Sequence, residues 1–211
     1  MRNLLSLRNV SLGLATAAFL MAGTGVALAS SQPSSQSWQL EGVNARLDHT
    51  LDVQSAHVGE RVEVKLDRGV TMANGTKLPG GTEVWGKVER VQASSNGGPS
   101  VLTLRFTTAQ LKNGQKVPVK VAVISAFPAS AGSSYLNGMG GALAPAPRHI
   151  NPQDRYTQEP GLLSHIEMKS RVQGRNSATF TEENGNVKLN RGTYLQLAIG
   201  LDNGSNLRNG A

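Results

Sequence analysis

The 211 residues include no cysteine. That excludes disulfides, thiolate metal sites and lipid-modified cysteine, so whatever folds here is held by its own core. Aromatic side chains make up only 4%, too few for a face on which bases stack in series. After the first thirty or so residues no 3.6-residue apolar period appears and no apolar run is long enough to anchor the chain in a membrane. The signatures of common catalytic centres are missing too: no H-E-x-x-H, no G-x-S-x-G, no S-x-x-K, and no glycine-rich loop opening a helix.

The four histidines do not supply a centre either. His49, His57, His149 and His165 include no pair four residues apart. His49 falls on the apolar face of its run and reads as a core histidine. His165 and Glu167 share a strand face, but no third ligand accompanies them. Asp48 and Asp52 lie two strand periods apart, about 13 Å, too far for a carboxylate pair acting on one bond. The expectation is a non-enzyme with no metal and no cofactor.

What the chain does have begins with an address. Residues 1–29 carry a basic start (Arg2, Arg8), an apolar run over 10–22, and Ala27-Leu28-Ala29 before Ser30. This is the small-x-small pattern of a signal-peptidase site, with cleavage between Ala29 and Ser30. The expected location is the periplasm, the cell envelope or the medium. Net charge is +7, and with Arg2 and Arg8 removed it is about +5, which favours anionic over cationic polymeric partners.

Beyond a polar linker over 30–42 the chain alternates. Val43, Ala45, Leu47, Leu51 and Val53 face one way against Asn44, Arg46, Asp48 and Asp52; Val58, Val62, Val64 and Leu66 do the same. Val84 and Val88 oppose Glu83, Trp85, Lys87 and Glu89; then come Leu102, Leu104 and Phe106, and the returning Val117 to Val123. Period two of this kind is a half-buried strand. Asn74-Gly75, Asn113-Gly114 and Asn184-Gly185 mark hairpin turns, and Pro118 belongs at an edge or bulge. Seven or eight such runs predict an all-β fold: a single antiparallel β-barrel or barrel-like sandwich over 43–200. Residues 127–160, rich in Gly, Ala, Pro and Ser, show neither period and read as a long flexible insertion. Residues 201–211 read as a disordered tail.

One segment is echoed. Lys77-Leu78-Pro79-Gly80-Gly81-Thr82-Glu83-Val84 and Lys188-Leu189-Asn190-Arg191-Gly192-Thr193-Tyr194-Leu195 both read K-L-x-x-G-T-x-aliphatic. In each a glycine stands where a tight turn needs positive φ, and a threonine starts the next strand. Gly81-Thr82 and Gly192-Thr193 are therefore structural turns, used twice by one barrel.

Residues 45–70 (ARLDHTLDVQSAHVGERVEVKLDRGV), the block LPGGTEVWG at 78–86, and LRFTTAQLKNGQKVPV at 104–119 resemble the C-terminal barrel of the TrbI-like family, the core-complex scaffold of type IV secretion and conjugation. The closing segment 186–197 (NVKLNRGTYLQL) is similar to that of exported bacterial proteins carrying the same barrel-like segment. The resemblance covers about 43–125 and 186–199. It implies a barrel and an envelope scaffold role. It does not extend to a channel: the family keeps a transmembrane helix, a proline-rich stalk and a helical insertion, whereas this chain has a leader peptide and an insertion at 127–160 without helical pattern.

The functional expectation is thus an exported, non-catalytic scaffold or adaptor working through protein contacts, with Trp85, read as exposed, and the insertion as contact candidates. The alternative is a soluble module for an anionic envelope polymer, using the basic stripe Lys169, Arg171 and Arg175. A third is a hydrolase whose site assembles only in three dimensions. Nucleic acid is disfavoured by the scarcity of aromatics around that stripe.

Overall fold

The computed structural model describes residues 39–130, 150–151 and 153–202. The expected leader with its Ala29-Ser30 cleavage point, His149, most of the linker, much of the insertion and nearly all of the tail lie outside the described residues. Thirteen strands run in chain order: β1 Glu41–Leu47, β2 Leu51–Asp52, β3 Arg61–Leu66, β4 Val70–Thr71, β5 Lys77–Leu78, β6 Glu83–Gln92, β7 Ser100–Gln110, β8 Lys116–Phe127, β9 Arg155–Gln158, β10 Ile166–Arg171, β11 Ala178–Glu182, β12 Lys188–Leu189 and β13 Tyr194–Leu201. The described residues contain no helix.

Alternation does what period two requires. β6, β3, β1, β13, β8 and β7 pair in that order, and β6 pairs with β7 to close the ring. The result is a six-stranded antiparallel barrel with extra strands. Every wall contributes inward residues that are at most 1% exposed, among them Val43, Val64, Val84, Leu102, Val121 and Leu197. Each such side chain contributes about 1.5–3 kcal/mol on burial, which is what a chain without disulfides must rely on.

The echoed corners are equivalent. Gly81 has φ +79° and Gly192 φ +82°, a region where a side chain is strained. Gly81 N–H donates to Leu66 O at 2.7 Å and Gly192 N–H to Leu47 O at 2.8 Å. Thr82 O accepts from Leu66 N and Thr193 O from Leu47 N, both at 2.9 Å. Each turn closes on itself, Thr82 N to Pro79 O and Thr193 N to Asn190 O.

The correspondence extends along the strands. Val84 pairs with Val64 on one side and Ala109 on the other; Leu195 pairs with Ala45 and Ala126. Both three-strand units carry a bulge at the same place, skipping Thr107 beside Trp85-Gly86 and Ile124 beside Gln196-Leu197. The barrel is therefore two copies of one unit, β3–β6–β7 and β1–β13–β8, related by a pseudo-twofold axis through the facing pair Arg46 and Lys65.

Several local expectations change. β1 starts at Glu41, inside the stretch read as linker, and ends at Leu47, so His49 lies half-buried in a bend and not on a strand's apolar face. Val58 precedes β3 in a turn and is 62% exposed. Asn74-Gly75 and Asn113-Gly114 do turn hairpins, in three-residue loops with Gly75 and Gly114 at φ +84°. Asn184-Gly185 does not: it is a bend between β11 and β12, which belong to different sheets. Part of the insertion is ordered strand, β9, and β13 continues to Leu201. Pro118 sits at the last rung of the β7–β8 ladder.

Candidate functional site

β7 and β8 share only three rungs, Gln110–Lys116 to Thr108–Pro118, and then part. Into the gap comes an arm of three strands, with β11 on β7, β10 on β11 and β9 on β10. Buried backbone groups in such a gap must find partners. Ser177 serves both walls: its N–H donates to Leu104 O (2.8 Å), its Oγ accepts from Phe106 N (2.9 Å), and its carbonyl accepts from Val123 N (2.9 Å). Ser170 Oγ donates to Val123 O. Gln158 clasps Ala126 from both sides, Oε1 accepting from N at 2.7 Å and Nε2 donating to O at 2.9 Å. Leu40, Ile150, Val172 and Tyr156 then pack over Ala122 and Ala198, sealing the outside of β8 and β13. Tyr156 donates its hydroxyl to Asp154 Oδ2 at 3.0 Å, and burial first, then that bond, push the phenol up to about 12.

The arm's other face is basic and open. Arg155 stands directly opposite Arg171 across β9–β10, and Lys169 opposite Thr157 and Thr179. Directly opposed residues share a face, so these side chains project together. With Arg175, in the turn after β10, they line a groove of about 390 Å³. Lys169 is held by Glu167 at 2.8 Å, which raises its pKa. Arg155, Arg171 and Arg175 have no acidic partner within ion-pair distance among the described residues.

A second cavity of about 420 Å³ adjoins, lined by Arg105, Lys120, Arg175 and Asp202. Lys120 Nζ donates to Gly174 O. Burial, and secondarily the Arg105 guanidinium, lower its pKa, while Asp202 opposes them. Arg105 also lies 3.6 Å from Glu89.

The predicted stripe thus divides. Arg171 and Arg175 share a groove, Lys169 is engaged by Glu167, and Arg155 joins from a segment that sequence reading left without structure. Trp85 is half-buried, not exposed: Arg61 lies 3.6 Å over its ring and Lys116 5.2 Å away. His165 is exposed in the turn before β10, not on a strand. Asp52 pairs with Lys188 at 3.3 Å. No group of three or more His, Asp or Glu able to hold a metal occurs among the described residues. A further depression lies on the pseudo-twofold axis between the two corners, lined by Arg46, Asp48, Lys65 and Asp67. Arg191 lines it too, and its cations are in part engaged, Arg46 on Asp67 at 2.8 Å and Lys65 on Glu83 at 4.0 Å.

No protein-family model matches this chain, and no curated protein does. Among solved structures, ComB10 of the Com type IV secretion system of Helicobacter pylori is similar at a TM-score of 0.30 and 10% identity, over 75% of this chain and 87% of that one. No helix of the described residues is long and apolar enough to cross a membrane.

Proposed function

We propose that the protein is an exported, non-catalytic component of the cell envelope, a scaffold or adaptor that works by contact, and that its contact surface is the arm. The observation that carries this reading is the Arg155–Arg171 cross-strand pair with Arg175 beside it. Like charges directly opposite one another destabilise a sheet, and among the described residues no acid lies within ion-pair distance of either arginine. A surface kept at that cost favours a partner of opposite sign. Apolar docking has less to work with, since Val58 and Leu162 are the exposed large apolar side chains among the described residues and lie on separate loops. The leader-like residues 1–29 support the envelope as its place.

The test is capture of envelope material by the tagged mature chain at rising salt. The Debye length falls from about 10 Å at 0.1 M to about 3 Å at 1 M, so capture through the arm collapses over that range and is lost in Arg155→Ala/Arg171→Ala. Salt-insensitive capture, unchanged in that variant, contradicts the reading. One observation favours a second reading, a protein segment docked by apolar contact: Leu162 edges a cavity of about 570 Å³ between Ile124–Ser125 and Thr157–Gly161. On that reading Leu162→Asp abolishes a salt-insensitive capture.

A further inference from the structure

The arginine groove does not end at Arg175. Gly174 and Arg175 are walls of both cavities, one lined by Arg155 and Arg171 and the other by Arg105 and Lys120. We infer that the two cavities form one track, crossing from the arm onto the barrel, for a flexible linear polymer that carries oxyanions, phosphate or carboxylate, along its chain. The inference rests on the contact reading above and names its ligand.

Three features support it. The first cavity is lined by Arg155 and Arg171, Arg175 belongs to both, and Lys120 and Arg105 line the second, so one chain spanning the two would meet cations from the arm to the barrel. Guanidinium forks match phosphate and carboxylate oxygens bidentately, and the three arginines of the arm have no acid within ion-pair distance among the described residues. The acids that act on the track's cations are Glu167, Glu159 and Glu183 around Lys169, Glu89 near Arg105, and Asp202 near Lys120; among the described residues none is ion-paired with Arg155, Arg171 or Arg175. The aromatics lining the cavities are Phe106, which is buried, and Tyr156, whose hydroxyl is held by Asp154. Neither offers a face to a stacked base, which argues against single-stranded nucleic acid.

The experiment is fluorescence anisotropy on the intact mature protein with four probes: long-chain polyphosphate, a polyuronate, inorganic phosphate, and an oligothymidylate of matched charge. The expected result is binding of one or both base-free polymers, with log K falling linearly against log salt. Inorganic phosphate is expected about 100-fold weaker, since one anion gains nothing from linkage. The preferred polymer identifies phosphate or carboxylate as the natural group. Arg171→Ala is expected to weaken polymer binding about tenfold, while Arg68→Ala, which removes the same charge from the β3–β4 turn, leaves it unchanged.

Lys120→Gln tests the second half of the track with a severalfold loss. Arg105→Gln repeats that test without removing the Gly174 bond. Full polymer affinity in both variants, inorganic phosphate binding as tightly as the polymers, or oligothymidylate binding more tightly than either, each overturns the inference. If no probe binds while envelope capture remains salt-sensitive, the ligand is wrong and the contact reading stands; if capture fails as well, both fall.

Discussion

The two halves of the barrel share a frame and differ on the outside. In β6 the outward residues are Trp85, Lys87 and Glu89; in β13 the corresponding ones are Gln196, Ala198 and Gly200. The first set meets water and a surface network of Arg61, Glu63, Lys116 and Arg105. The second is buried, with Ala198 packed under Leu40, Ile150, Val172 and Tyr156. Gly200 is closely covered: a Cβ there would lie 2.6 Å from Leu40 Cδ2 and 3.0 Å from Gln39 O. The turn bonds, the register around the corners and the first bulge are common to both halves; β6–β7 carries a second bulge, between Val88 and Arg90, that β13–β8 lacks. Inward positions and corner glycines therefore set the frame, while outward positions decide whether a wall faces water or receives the arm.

Exchanging outward residues is the strongest way to break the comparison. Ala198→Lys places an ammonium under the covering cluster and is expected to cost about 3–5 kcal/mol. Lys87→Ala, at the corresponding exposed position, is expected within about 0.5 kcal/mol of wild type. Urea unfolding of the two variants checks the contrast, and equal costs would deny the difference between the walls.

A smaller effect is expected at the seam. Ser177→Ala removes the acceptor of the buried Phe106 N–H and should cost about 1–3 kcal/mol by the same measurement. The corners sharpen the comparison further. Gly81→Ala and Gly192→Ala each force a side chain into positive φ and are expected to cost about 1–2 kcal/mol, agreeing within about 0.5 kcal/mol. A difference much larger than that would mean the corners are not equivalent.

The smallest effect belongs to one half alone. Burial, and then the neighbouring Glu83 carboxylate, raise the pKa of Glu63 above 4.5; the corresponding residue of the other half is Asn44, which does not titrate. The folded state binds this proton more readily than the unfolded one. Glu63 therefore costs stability above its raised pKa, and the cost is relieved as pH falls through that value towards 4.5. Glu63→Gln should flatten this segment of the stability–pH curve, while Asn44→Ala should leave its shape unchanged.

Much of this frame was legible in the chain because it rests on local signals. Period two marked the walls, and K-L-x-x-G-T marked both corners, because positive φ in a tight turn admits little besides glycine. The arm was not legible. Ser177, Ser170 and Gln158 are polar residues that a pattern reading assigns to solvent, yet they are buried because the parting of β7 and β8 leaves backbone groups only a side chain can reach. β9 is four residues long, too short for a period to register, so Arg155 went unplaced until β10 supplied a partner strand. The burial of Lys120 depends on Gly174, more than fifty positions away. Trp85 looked exposed for a related reason: alternation assigned it outward correctly, but not that Arg61 and Lys116 would cover it. Small residues at Ala198 and Gly200 were the available hint that this wall is covered.

The central claim is that the arm keeps an unneutralised arginine pair at a cost to folding, for the sake of contact. Equilibrium unfolding of Arg171→Ala beside wild type, at low and at high salt, measures it most directly. The account predicts that the variant is more stable at low salt, by up to about 1 kcal/mol, with the gain fading as salt screens the repulsion. A variant less stable than wild type at both salts would show Arg171 to be holding the fold together, and would contradict the claim.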